Sequence, residues 1–67
     1  MRPYQNELPA GATVVAWNES FVVWKPQRPT FPENPYTVHP VNGKRITGSG
    51  TYDLSKSEAE AMAGVTL

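Results

Sequence analysis

The sequence of 67 residues contains no cysteine and a single histidine, His39. A structural disulfide is therefore excluded, and one histidine without cysteine cannot form the Cys/His cluster of a structural zinc site. These devices commonly stabilise domains shorter than about 70–80 residues. The chain must instead gain its stability from close packing, from self-association or from a partner.

The sequence also lacks a net charge, because six basic residues balance six acidic ones. A protein without a long-range positive field is poorly suited to nonspecific binding of nucleic acid or an anionic membrane. There is no run of about 18 apolar residues that could span a bilayer. Met1 to Ala12 contains no apolar run typical of a secretory signal. We therefore expect a native start at Met1, a cytoplasmic protein and no membrane partner.

Signatures of catalysis are missing as well. No serine, aspartate or glutamate stands at a diagnostic spacing from His39, the only imidazole. Gly48-Ser49-Gly50 is too short for a phosphate-binding loop and lacks the following Lys-Ser/Thr pair, so we interpret it as a bend or bulge. We predict that the protein is not an enzyme and has no catalytic residue, no cofactor, no metal and no small-molecule substrate.

The strongest regularity that is present is a row of prolines at intervals of three residues: Pro26, Pro29, Pro32 and Pro35. This interval is the repeat of a polyproline II helix, which places all the rings on one edge. Residues 25–35 therefore form a proline-rich connection. Because Phe31 supplies an apolar anchor, we predict an ordered strap across one face of a sheet rather than a mobile linker. Its basic residues do not match the spacing of an SH3 ligand.

The segment 12–24 predicts a first β-hairpin, because β-branched and aromatic residues flank the turn formers 18–20. A loop of those three residues pairs Trp17 with Phe21. Both faces of this hairpin are then apolar. Such a pair of strands needs a cover on each side, from the rest of the chain or from a partner.

Asn42-Gly43 predicts a second hairpin between residues 36–41 and 44–47, because this dipeptide is preferred in type I′ turns. Pro40 cannot donate a hydrogen bond to a neighbouring strand. The strand that contains Pro40 is therefore expected at an edge of the sheet or with a bulge at the proline.

The C-terminal residues 54–63 predict a helix. Ser55 and Glu58 have the spacing of a capping box, and Gly64 is suited to the position after the helix. The helix is short, so it must gain stability by packing on the sheet.

These elements predict one small α+β domain over residues 1–67. Two β-hairpins form a four-stranded, mostly antiparallel sheet, with the C-terminal helix on one face and the proline-rich strap over part of the other. Residues 1–11 are expected to be an extended or flexible arm. The alternative is a small closed barrel with a terminal helix.

The hairpin with two apolar faces favours a non-catalytic protein-protein interaction module that binds a protein partner or a copy of itself. Short chains of this kind are often accessory proteins, including those of phages and other mobile elements. Aromatic residues are expected to make the contact and two basic residues to orient the partner at the rim. The predicted contact residues are Trp17, Phe21, Trp24, Phe31 and Tyr36, with Lys25 and Arg28 at the rim.

The alternative function is weak binding of nucleic acid, in which the aromatic rings stack on bases. The basic residues for it would be Lys25, Arg28, Lys44 and Arg45. Four charges neutralise few phosphates, so such binding would be lost in moderate salt. We favour the interpretation in which the aromatic residues form much of the core and the charges lie at a solvated rim.

Overall fold

The computed structural model describes residues 4–67. Five strands form one antiparallel sheet, in which β3 pairs with β2, β4 and β5, and β1 pairs with β2. A single helix follows the last strand, so the predicted α+β class is confirmed. The elements are β1 (Thr13–Trp17), β2 (Phe21–Lys25), β3 (Tyr36–Asn42), β4 (Arg45–Ile46), β5 (Thr51–Leu54) and α1 (Lys56–Ala63).

The first hairpin is present, but its register differs from the predicted one. Trp17 pairs with Val22 rather than with Phe21. The ladder is irregular in residues 14–16, where a β-bulge shifts the register. The loop between the two strands contains residues 18–20, as predicted.

The side chain of Asn18 closes this loop. Its Oδ1 accepts hydrogen bonds from the backbone N–H groups of Ser20 and Phe21, each at 2.8 Å. The Asn18 N–H in turn donates to the Phe21 carbonyl at 2.9 Å. Because an asparagine side chain can close a turn on its own backbone, these hydrogen bonds place Asn18 opposite Phe21 and so fix the observed register.

The second hairpin joins β3 to β4 and turns one residue later than predicted. Asn42 pairs with Arg45, so the loop is Gly43-Lys44. A type I′ turn requires positive φ at both central residues, but of these two only Gly43 has it, with φ of 65°. The hairpin is thus confirmed, and the predicted turn type is wrong.

Strand β3 lies in the centre of the sheet, which corrects the expectation that Pro40 places it at an edge. Its pairing with β5 ends at Val38, and its pairing with β4 begins at Val41. Pro40 lies between these two partners and accepts a hydrogen bond from the Thr47 N–H at 2.9 Å. Pro40 has no N–H to donate, but it lies where neither β4 nor β5 pairs with β3. The missing donor therefore costs no hydrogen bond between strands.

Strand β5 was not predicted. It is short and contains one buried side chain, Leu54, so it has no alternation of polar and apolar residues that the sequence could reveal. Asp53 has a positive φ of 59° at a register shift opposite residues 36–38. Aspartate tolerates this left-handed conformation better than most residues, which permits the bulge.

The helix α1 begins directly after Ser55, inside the predicted range 54–63. The predicted capping box is confirmed. The Glu58 N–H donates to Ser55 Oγ at 3.2 Å, and the Ser55 N–H donates to Glu58 Oε1 at 2.9 Å. Gly64 follows the helix with a φ of 71°.

The helix covers one face of the sheet, which we call the helix face. Val23, Val38 and Leu54 of the sheet form a buried cluster with Ala59 and Ala63 of α1. The two alanines have no more than 3% exposure. Their small side chains let the helix backbone approach the strands closely, so this short helix contributes a well-packed cover.

The opposite face is covered by the N-terminal segment, and we call it the arm face. Val14, Val22 and Val41 form its buried cluster, against which Tyr4 and Leu8 pack. This differs from the predicted arrangement, in which the proline-rich strap lay over the second face. Both apolar faces of the first hairpin therefore receive a cover from the chain itself.

The N-terminal segment was expected to be an extended or flexible arm. Residues 1–3 lie outside the described residues. Gln5–Glu7 forms a 3-10 turn, and the Gln5 side chain donates to the Ala12 carbonyl at 2.6 Å. Glu7 accepts a hydrogen bond from the Ile46 N–H at 3.3 Å and lies 3.5 Å from Arg45. Polar contacts therefore attach this segment to the second hairpin.

Candidate functional site

The proline-rich connection contains a tight turn. The Asn34 N–H donates to the Phe31 carbonyl at 2.9 Å, with Pro32 at the second position, where its fixed φ is favourable. A polyproline II helix has no internal hydrogen bonds. The prediction of one continuous polyproline II rod is therefore wrong, because the segment bends at residues 31–34.

The four prolines of the row nevertheless line a single open groove of about 480 Å³, which we call the proline groove. Four further residues from β1, β2 and the segments that adjoin them complete its walls. The lining residues are Pro26, Pro29, Pro32, Pro35, Gly11, Thr13, Lys25 and Gln27. The chain thus presents a concave, proline-rich surface at the end of the first hairpin.

Gly11 allows the two walls of the groove to meet. Its φ is 84°, a conformation that favours glycine. A Cβ at this position would overlap the side chain of Gln27. The sequence contains no local signal for this contact, since residues 11 and 27 approach each other only in the folded chain.

Two basic residues and an exposed phenylalanine belong to the same end of the molecule. Lys25 lines the groove, and its Nζ lies 5.8 Å from the centre of the Tyr36 ring, in a cation-π contact. Arg28 is exposed, and Phe31 is 47% exposed at the turn. Three of the predicted contact residues, Lys25, Arg28 and Phe31, therefore lie at or beside the groove.

Trp17 is the last residue of β1, whereas Thr13, at the start of the same strand, lines the proline groove. The Trp17 side chain is 46% exposed. It borders a shallower groove of about 430 Å³ together with Gly64, Val65 and Thr66 of the C-terminal segment. A strand rises about 3.3 Å per residue, so the four steps from Thr13 to Trp17 span about 13 Å. The predicted contact residues are consequently divided between two ends of the hairpin.

Trp24 lies in the interior, with 4% exposure. Its Nε1–H donates to Nδ1 of His39 at 3.0 Å, and the two ring centres are 5.9 Å apart. The Tyr52 ring meets both rings edge-on, at 6.4 Å from Trp24 and 5.8 Å from His39. We call these three residues the aromatic cluster.

Partial burial lowers the pKa of His39, since it disfavours the charged form of the imidazole. Nδ1 accepts the indole hydrogen bond, which requires this nitrogen to be unprotonated. A Cβ on Gly50 would overlap the imidazole, so the glycine leaves the space that the ring occupies. The sequence gives no signal for this role, because Trp24 and His39 lie 15 residues apart and meet only in the folded sheet.

The remaining predicted contact residues, Phe21 and Tyr36, are half-buried and pack against the cluster of the helix face. The four basic residues of the alternative function form two separate pairs. Lys25 and Arg28 lie in the proline-rich connection, whereas Lys44 and Arg45 lie at the turn of the second hairpin. Nucleic-acid binding thus stays a prediction.

Residues 4–67 contain no group of three His, Asp or Glu side chains placed to hold a metal ion. In the same part of the chain no helix has the length and apolarity needed to cross a membrane. Comparison with protein-family models, with curated proteins and with solved structures finds no match for the chain.

Proposed function

We propose that the protein is a non-catalytic protein-binding module that takes an aromatic side chain of a partner protein into the proline groove. One observation carries this proposal: all four prolines of the row line the same open groove. Pro32 is exposed and the other three prolines are half-buried, so a ligand can reach the row from the open side of the groove.

The chemistry of the groove suits an aromatic ligand. Pyrrolidine rings pack well on aromatic rings, and the carbonyl groups of a proline-rich segment accept hydrogen bonds from an indole or phenol. The fixed φ of proline also lowers the entropy that is lost when such a surface becomes ordered on binding. Lys25 and Arg28 favour a partner that carries negative charge beside its aromatic residue.

The proposal extends to the biological setting. A small module without its own chemistry acts by occupying the surface of another protein, as an accessory protein does. We place it in the cytoplasm, because a chain without cysteine needs no oxidising compartment in order to fold.

Titration with N-acetyl-tryptophanamide, followed by amide chemical shifts of isotope-labelled protein, tests the proposal. We expect the shifts to concentrate on Gly11, Thr13, Lys25 and Gln27. N-acetylglycinamide, which lacks the ring, serves as the control ligand and should leave these signals in place.

The variant Pro29→Ala/Pro32→Ala removes two rings from the wall of the groove and should abolish the shifts. Near-ultraviolet circular dichroism of the buried Trp24 shows whether the variant is folded. Shifts that are equally large in wild type and variant, or that lie away from the groove, would contradict the proposal.

A further inference from the structure

Trp17 is an exposed side chain of the kind that the proline groove is proposed to bind. It is 46% exposed, and its indole N–H makes no hydrogen bond within residues 4–67. Exposed tryptophan is uncommon on a solvated surface and frequent in protein interfaces, where one end stays apolar and the N–H finds an acceptor. The chain therefore carries both a donor ring and a surface that suits it.

Trp17 cannot reach the groove of its own molecule. Thr13 lines the groove at the start of β1, and Trp17 ends the same strand about 13 Å away. A paired strand does not fold back on itself over that distance. Any contact between this indole and a proline groove must therefore join two copies of the chain.

The charges near the two surfaces are complementary. Glu19 is exposed in the loop two residues after Trp17. The proline-rich connection, residues 25–35, contains two basic residues, Lys25 and Arg28, and one acidic residue, Glu33. An indole that approaches the groove with Glu19 beside it would meet a surface with an excess of positive charge, which favours this orientation.

We propose that Trp17 of a second copy occupies the proline groove, so that copies of the protein associate head to tail. This inference rests on the proposed function of the groove. The two surfaces differ, so the contact is heterologous and leads to a ring or to an open chain of copies. One side chain and a short turn bury little area, and interfaces below about 1,200 Å² are weak.

Sedimentation velocity over a range of concentrations tests the association. We expect the wild type to associate as its concentration approaches about 1 mM. Trp17→Ala should weaken association about 30-fold, the effect of losing a central tryptophan from an interface. Met62→Ala is the matched control, because Met62 is 42% exposed and lies on α1. Association of Trp17→Ala at the wild-type strength would overturn the proposal.

Mixing two variants tests the head-to-tail geometry. Trp17→Ala keeps its groove, and Pro29→Ala/Pro32→Ala keeps its tryptophan. Each alone should stay monomeric, whereas an equimolar mixture should form a dimer with one copy of each. A mixture that stays monomeric under conditions where the wild type associates would overturn the proposal.

Exchanging the charges of the two surfaces tests the same contact without changing the prolines. Glu19→Arg and Arg28→Glu should each weaken association several-fold, because each places like charges together. The double variant should restore most of the loss. Equal weakening in the double variant would overturn the predicted orientation of Trp17 in the groove.

The outcome also separates this inference from the proposed function. A wild type that stays monomeric while N-acetyl-tryptophanamide shifts the groove signals would overturn self-association and leave the groove as a site for another protein. A wild type that neither associates nor binds the amide would overturn both.

Discussion

The helix face and the arm face of the sheet are covered in different ways. On the helix face, α1 satisfies its own backbone and needs only apolar contact, which Ala59 and Ala63 provide at no more than 3% exposure. On the arm face, the irregular N-terminal segment depends on polar contacts as well. A helix can cover a sheet by packing alone, whereas an irregular segment must also find partners for its polar groups.

The contacts of the arm face are individually weak. The Tyr4 hydroxyl donates to the Gly43 carbonyl at 3.1 Å, and Glu7 pairs with Arg45, whose side chain is 83% exposed. Hydrogen bonds and ion pairs in contact with water contribute little to stability. We therefore expect the arm face to open more readily than the helix face.

The largest expected effect compares a leucine from each face. Leu54→Ala on the helix face should lower the free energy of unfolding by about 3 kcal/mol, because Leu54 is 7% exposed and its loss leaves a cavity. Leu8→Ala on the arm face should cost about 1 kcal/mol, because Leu8 is only half-buried. Urea denaturation followed by circular dichroism measures both.

The solvent-facing Met62→Ala serves as the control for this pair and should change stability by less than about 0.5 kcal/mol. Equal losses for Leu54→Ala and Leu8→Ala would remove the distinction between the two faces.

A smaller effect is expected at Asn18, which connects the first hairpin to the helix face. Its Nδ2 donates to the Ala63 carbonyl at 2.6 Å, while its Oδ1 closes the turn of the hairpin. Asn18→Ala should lower the free energy of unfolding by about 2 kcal/mol, because it removes all these hydrogen bonds. Thermal and urea denaturation of the variant provide the measurement.

Asn18→Asp separates the contribution of the turn hydrogen bonds from that of the hydrogen bond to the helix. The carboxylate keeps the acceptor for the turn but loses the donor and places negative charge at the C-terminal end of α1, where it is unfavourable. We expect a loss of about 1 kcal/mol, with the turn intact. Glu19→Ala in the same loop is the control. An Asn18→Asp variant as stable as the wild type would show that the link to the helix contributes nothing.

The smallest expected effect is a difference in the response of the two faces to acid. His39 pairs with Val22 and so lies on the arm face, where burial lowers its pKa below the usual 6.5. The unfolded chain then binds a proton at a higher pH than the folded chain, so stability falls as the pH drops below 6.5 and levels off below the folded pKa. Denaturation midpoints between pH 8 and pH 5 measure this loss.

His39→Asn is the matched variant, because its side-chain oxygen can still accept the Trp24 hydrogen bond but does not titrate. Its stability should stay constant over this range. A wild type whose stability is equally constant would contradict the role of His39.

On the helix face, acid acts at lower pH. The hydrogen bond from the Ser55 backbone N–H lowers the pKa of Glu58 below its usual 4.5, and the Ser55 side chain adds to this. The capping box therefore stabilises the fold above pH 4.5, and its contribution is lost as the pH falls through the folded pKa. Glu58→Gln should remove this step, and its persistence in that variant would assign the step to another group.

Local signals in the sequence predicted most of the secondary structure. The turn formers at residues 18–20 and at Asn42-Gly43 indicated both hairpins, although the register of the first and the turn of the second each differ from the prediction by one residue. The spacing of Ser55 and Glu58 indicated the start of the helix. These signals act between neighbours in the chain, so they are visible without knowledge of the fold.

The candidate site was less accessible to sequence reasoning. The interval of the prolines indicated that their rings share an edge, and the structure brings them to one groove. The approach of Gly11 to Gln27 and the burial of Trp24 against His39 join residues distant in sequence. The sequence analysis includes both Trp24 and Trp17 among the contact residues, whereas in the fold Trp24 is buried and Trp17 is exposed.

The sequence by itself determined an α+β domain with two hairpins, a capped C-terminal helix and a proline-rich connection, because turns, caps and the preferences of β-branched residues depend on short-range geometry. Only the tertiary structure decided that β3 is central, that the N-terminal segment covers the arm face and that the prolines line a groove. These features depend on which apolar surfaces pack against each other. That packing is determined by contacts between residues distant in sequence.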